Sequence, residues 1–170
     1  RGLRPAIRID SRSRPSDGAH AARPLPILGG TVPGEARERQ GCHQMQCPTH
    51  AYADVLVATA NGRIDFAGAQ VLEGALAPAL APDGPARGIV IDLAGVDYIS
   101  SVGLRVLMVA AKAMRARKAS IAVASLQPVV AEIFEISRFH HVVDVRGSVR
   151  DAIAAVSPGA LVAYDREGGR

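Results

Sequence analysis

The stretch Asp92–Leu107, DLAGVDYISSVGLRVL, holds the side chains best placed to do chemistry. A short apolar strand ends, a loop passes through Gly95, and helical spacing begins at Ser100-Ser101. Two hydroxyls therefore fall beside the unpaired N–H groups and positive dipole end of a helix, a place that tolerates a phosphate well. The chemistry this suits is reversible phosphorylation, which gives a neutral hydroxyl roughly 1.5–2 negative charges at neutral pH. A plainer role is also available, because serine is a favoured N-cap and one of the two can simply cap the helix. Local spacing leaves both roles open for Ser100 and Ser101.

Other groupings of reactive side chains do not assemble into a known pattern. Cys42-His43, Cys47 and His50 have metal-ligating types, but their spacing matches no zinc module. His140-His141, Ser101 and Asp97 contain the types of a hydrolase triad, yet no Gly-x-Ser-x-Gly elbow is present. Neither common Gly-rich phosphate loop occurs. The expectation is a protein that is not an enzyme and uses neither a metal nor a cofactor.

The elements that must position the serine loop are legible in the periodicity. Tyr52–Ala60 alternates and reads as a strand, with Asn61-Gly62 as a tight-turn signal after it. Asp65 is placed to cap a helix over about 67–76, with Val71, Leu72, Ala75 and Leu76 inward and Pro78, Pro82 and Pro85 ending it. Gly88–Leu93, GIVIDL, is a continuous apolar run suited to a buried parallel strand. Ser101–Arg117 has helical spacing, with Leu104, Leu107, Met108 and Ala111 on one face. Lys112, Arg115, Arg117 and Lys118 fill its last turns, where cations suit the dipole, and Arg115–Lys118 reads as a solvated helix end.

Ile121–Ala124 is the next strand, and Gln127-Pro128 opens a helix continued by Val130, Ile133 and Phe134. The His pair falls in the turn before a last strand, Val142–Val145. Ser148 with Asp151 resembles a capping box before Ala152, Ile153 and Val156. Strands alternating with helices at such intervals predict an α/β domain with a small open mixed or parallel sheet, about four to five strands, and helices packed on it. Ligands of such sheets sit at the carboxyl ends of the strands, where the serine loop lies.

Charge is unevenly distributed. The chain has 20 basic and 16 acidic side chains, a net charge of +4. Residues 1–48 carry eight arginines against four acids, so the remainder is neutral. A nucleic-acid footprint needs basic charge clustered on the folded surface, and net charge supplies none there. The first 48 residues also hold six of the eleven prolines and six of the seventeen glycines, without sustained periodicity, which predicts a largely disordered tail. Met45 is a candidate translational start, residues 1–44 then being an upstream artefact. The expected organisation is a tail over 1–48, a domain over 49–160, and a flexible C-terminus over 161–170. Both cysteines fall in the tail, and no apolar run reaches the length of a membrane span, so a reducing, cytoplasmic compartment is expected.

The run YISSVGLRVL, preceded by IVIDLAGV and followed by SLQPVVAEIFEISRF, resembles a STAS domain of the anti-sigma factor antagonist type. The earlier GRID at Gly62–Asp65 is similar to that family's Gly-x-Leu/Ile-Asp turn. The resemblance covers about residues 54–156 and none of the tail. It implies a protein that binds an anti-sigma factor, often a serine kinase, while unmodified and so frees a sigma factor. The kinase phosphorylates the antagonist, the complex falls apart, and a serine phosphatase resets it; the ATP belongs to the partner.

By this resemblance Ser101 is the phosphoacceptor, with Ser100 the second choice. The docking surface is built on Asp65, Ser100, Ser101, Val102, Gly103 and Leu104, with the turn Ser125–Pro128 a further part. Where many members have Asp-Ser-Ser-Gly, this chain has Ser100-Ser101-Val102-Gly103. The partners implied are an anti-sigma serine kinase and a serine phosphatase, with no direct nucleic acid and no membrane, the protein being a monomer or weak dimer. The alternative within the same fold is a STAS subunit of a transport complex that binds an ABC-type ATPase without a phosphoswitch.

Overall fold

Backbone pairing begins before the first full strand. The computed structural model describes residues 44–168. Gln46 forms a bridge with Asn61, and Thr59 donates its N–H to the carbonyl of Pro48, so the entering segment lies along an edge of the sheet. Strands β1 (Thr49–Tyr52) and β2 (Val55–Ile64) pair antiparallel through a turn in which Ala53 takes a left-handed φ of 51°. There follow α1 (Phe66–Leu80), β3 (Gly88–Ile99), α2 (Ser101–Ala116) and β4 (Ser120–Ala124). Then come α3 (Pro128–Ile136), a 3-10 turn (Phe139–His141), β5 (Asp144–Arg146), α4 (Val149–Val156) and α5 (Pro158–Arg166). The five strands lie in the order β1-β2-β3-β4-β5, with every neighbour after the first pair parallel.

Each face of the sheet buries its own apolar cluster, as the alternation of side chains along a strand requires. Ile89, Ile91, Leu93, Ile121 and Val123 face α1, α2 and α3, where they meet Leu72, Leu76, Leu107, Met114 and Phe134. Val57, Val90, Ala122 and Ala124 face the other way and meet Ala152, Ile153, Ala160 and Tyr164 of α4 and α5. The core is aliphatic, in keeping with a chain that lacks Trp. Among the described residues no helix is long and apolar enough to cross a membrane.

Several expectations are corrected by the tertiary structure. Asn61-Gly62 is not a turn but part of β2, where the register shifts against β3. Gly95 lies opposite, and a Cβ there would collide with the Asn61 side chain, so the irregular pairing requires glycine. Helix α1 runs through Pro78 and ends at Leu80; the proline sits exposed in the last turn, where the bond an N–H at 78 would make to the Gly74 carbonyl is lost. Val71 is exposed, while Gly68, Ala69 and Ala79 take the inward positions beside Leu72 and Leu76. On α2 the buried face is Gly103, Leu107, Ala110, Ala111 and Met114, with Leu104 half-buried and Met108 exposed. Small residues let this helix approach the sheet closely, which rotates the face away from the larger side chains. The last strand starts later than expected because Phe139–His141 winds into a 3-10 turn first.

The domain also extends past both expected limits. Met45 is buried in the first cluster, ahead of the expected start at residue 49. Residues from 161 onward were expected to be flexible, yet Pro158–Arg166 forms α5. Its Tyr164 packs edge-on against Tyr52 at 5.1 Å, and Asp165 forms a two-pronged pair with Arg150 at 2.9 and 3.0 Å. A nine-residue helix is not stable alone, so docking on β1 and α4 is what holds it. The rest of the tail expectation, over residues 1–43, and the Cys42-His43 part of the metal grouping lie outside the described residues. His50 hydrogen-bonds Glu167 at 2.8 Å, and burial pushes the Cys47 thiol up to about 11.

Candidate functional site

Ile64 and Ile99 are paired neighbours at the carboxyl ends of β2 and β3. Each strand turns directly into a helix, so α1 and α2 begin side by side at one end of the sheet. Asp65 is the N-cap of α1, its Oδ1 accepting the N–H of Gly68 at 2.9 Å. Ser100 is the N-cap of α2: its Oγ accepts the N–H of Gly103 at 3.2 Å. The backbone N–H of Ser100 donates to the Ile64 carbonyl at 2.9 Å, which ties the start of α2 to the end of β2.

The two serines are thereby separated in role. Ser100 is half-buried and engaged in the cap, whereas Ser101 is the first residue of the helix and is exposed. The Ser101 hydroxyl has no hydrogen bond to any described residue. Replacing Ser100 by Ala is therefore expected to lower the unfolding free energy by about 1 kcal/mol. The same change at Ser101 is expected to leave it within about 0.5 kcal/mol of the parent. Urea denaturation of the two variants checks this, and equal losses would refute the division of roles.

Gly103 is buried beneath this end of α2. A Cβ on it would lie 2.5 Å from Ile64 Cγ2 and 3.0 Å from Ile99 Cγ1, so glycine lets the first turn of α2 rest directly on the strand ends. Of the expected docking residues, Asp65, Ser101 and Val102 are exposed, Ser100 and Leu104 are half-buried, and Gly103 acts from below the surface. Gln127, in the turn after β4, donates its side-chain amide to the Ala94 carbonyl at 2.5 Å, which ties that turn to β3.

Apart from Val102, the sequence reading did not single out the apolar and cationic groups at this end of the sheet. Phe66, the first residue of α1, is 67% exposed; Val102 is 39% and Tyr98 37% exposed. The Arg63 guanidinium lies over the Tyr98 ring at 4.1 Å from its centroid. Large apolar side chains left in water at one end of a sheet, around a free hydroxyl, make a surface suited to a protein partner. The one sequence signal for Phe66 is a large aromatic residue directly after a capping Asp, where core packing does not ask for it.

A family model described as the STAS domain matches residues 46–152. BtrV of Bordetella bronchiseptica, a protein assigned as an anti-sigma factor antagonist, is 40% identical over 107 residues, which are 63% of this chain and 90% of BtrV. Among solved structures, a Thermotoga maritima protein with the same assignment superposes with a TM-score of 0.60 at 18% identity, over 65% of this chain and 93% of its own. The anti-sigma factor antagonist SpoIIAA in its unphosphorylated form gives a TM-score of 0.57 at 15% identity, over 67% of this chain and 96% of its own. At such identities the two structures carry the fold alone.

Proposed function

The chain belongs to the STAS domain family, and on that premise we propose that it is an anti-sigma factor antagonist switched by phosphorylation of Ser101. Unmodified, it binds an anti-sigma factor that is itself a serine kinase and so releases a sigma factor. Modified, it lets go until a serine phosphatase resets it. The 40% identity to BtrV supports the antagonist role. The observation that carries the switch is the division between the two serines, Ser100 engaged in the cap and Ser101 free at the surface. Phosphoryl transfer would take place on the kinase: Ser101 Oγ attacks the γ-phosphorus of ATP, ADP leaves, and the hydroxyl proton passes to a base of the kinase. No catalytic step belongs to this chain.

The surface logic supports release on modification. Phe66, Tyr98 and Val102 would be covered by the partner, so a phosphate among them gives up water for side chains that offer it no charge. The fold itself has no need to change, since the phosphate stands at a helix N-terminus.

Two measurements test the proposal. Trypsin should release Gly88–Arg105 as one peptide containing Tyr98, Ser100 and Ser101, and fragment ions will say which hydroxyl carries phosphate. Phosphate on Ser100 alone would contradict the assignment. In parallel, wild type, Ser101→Ala and Ser101→Glu serve as baits in native lysate. Capture of an anti-sigma kinase by the first two and not the third is expected; equal capture of a transporter ATPase by all three would replace this reading with the transport-subunit one.

A further inference from the structure

Ser101 and Arg105 stand four residues apart on α2, and both are exposed. That spacing puts one about 6 Å above the other on the same helix face. Long side chains on a helix lean toward its N-terminus, so the guanidinium of Arg105 is within reach of the turn that begins with Ser101. Arg105 has no hydrogen bond or ion pair with any described residue. Of the other arginines of the domain, Arg63 is engaged on the Tyr98 ring, Arg115 and Arg117 on backbone carbonyls, and Arg146 and Arg150 on Asp144 and Asp165. Arg87, Arg138 and Arg166 have no side-chain hydrogen bond or ion pair with a described residue either, but none of them is on α2.

Resting on the phosphoswitch reading, we propose that Arg105 is the internal partner of phosphorylated Ser101. Phosphorylation draws the guanidinium back one turn onto the phosphate oxygens and so withdraws from the docking face a cation that the unmodified protein offers. An anion placed N-terminal to a cation at this spacing is the favourable order on a helix. A guanidinium can also grip two phosphate oxygens at once. The modification thus acts twice, by adding charge among Phe66, Tyr98 and Val102 and by removing Arg105 from reach of the partner.

Among the described residues the other charged groups at this end are Asp65 at the start of α1, Asp97 near the end of β3, and Arg63 at the end of β2. The two carboxylates oppose the phosphate, and Arg63 is held on Tyr98. Neither they nor the dipole of α2 change when Arg105 alone is replaced, which makes the contribution of Arg105 separable.

The test uses the full chain with phosphoserine installed at position 101 during translation, so no kinase is needed. The second ionisation of the phosphate, at about pH 6 in an unperturbed phosphoserine, is followed by 31P NMR at low salt. Arg105→Gln is expected to move that midpoint to higher pH, Arg105→Lys to move it less, and Arg63→Gln to leave it in place. The difference should shrink at about 1 M salt, where charges are screened beyond about 3 Å. An unmoved midpoint in Arg105→Gln, or an equal movement in Arg63→Gln, overturns the pairing. The switch reading fails on a different result, an anti-sigma partner that binds the phosphorylated and plain chains alike, so the two failures are distinguishable.

Discussion

Ser101→Glu should bind the anti-sigma partner roughly 30- to several-thousand-fold more weakly than wild type, with Ser101→Ala close to wild type. The estimate follows from a charge that no group of the partner pairs in a covered interface, which costs about 2–5 kcal/mol at about 1.4 kcal/mol per decade of affinity. A glutamate carries one charge where a phosphate carries nearly two, so the variant belongs at the lower end of that range. Stability should move the other way, if at all. A carboxylate at the first position of α2 interacts favourably with the helix dipole and contributes about 0.3–1 kcal/mol. The expected pair of results is lost binding by calorimetry with an unchanged or slightly raised melting temperature. Lost binding together with a lowered melting temperature would mean that the variant had damaged the end of α2, and the switch would have to be argued afresh.

Arg117→Ala should be the most destabilising single change outside the apolar core. Arg117 looks in the sequence like one of several cations decorating a helix end. In the structure its guanidinium reaches across to the last turn of α1 and the segment that follows it. Nη1 donates to the Ala79 carbonyl at 2.6 Å, and Nη2 donates to those of Gly84 at 2.5 Å and Ala86 at 3.2 Å. This one side chain therefore ties the end of α1 to two carbonyls of the proline-rich crossover that follows it. Hydrogen bonds to a charged group contribute about 1.5–3 kcal/mol each and do not add fully, so a loss of about 2–4 kcal/mol is expected. For a domain of this size that lowers the melting temperature by about 10 °C. Lysine should recover only part, because a point charge cannot fork across three carbonyls. A melting temperature within about 2 °C of wild type would restore the solvated-end reading.

Arg115 shows the same limit of sequence reasoning at shorter range. Its Nη2 donates to the carbonyls of Val142 at 2.9 Å and His141 at 3.3 Å, bracing the loop before β5. A basic residue near a helix C-terminus is favourable on local grounds alone, so nothing in the spacing distinguishes an idle cation from one tying down a distant loop. The capping residues were legible for the opposite reason. Asp65, Ser100 and Ser148 bond to N–H groups three residues ahead, so the whole interaction lies within one turn of sequence.

What the sequence by itself determined is whatever rests on neighbours within a turn or on a strand's own pattern. That includes the alternation of strands and helices, the buried run Gly88–Leu93, the caps, and a serine pair at the start of α2. The tertiary structure alone decided which of the two serines is free, because Ser100 is placed by a bond to Ile64, a strand away. It decided that Gly103 works from beneath, since Ile64 and Ile99 reach it only once β2 and β3 have paired. It decided that Phe66 stands exposed at the same end of the sheet as Ser101, because the strands that lead into their helices run parallel with Ile64 paired to Ile99. Residues after Val156 became a helix rather than a loose end because Tyr52, a strand at the far edge of the sheet, supplied the surface on which Tyr164 could dock. Short-range order is encoded in spacing, whereas exposure and docking depend on which distant segments the sheet brings alongside.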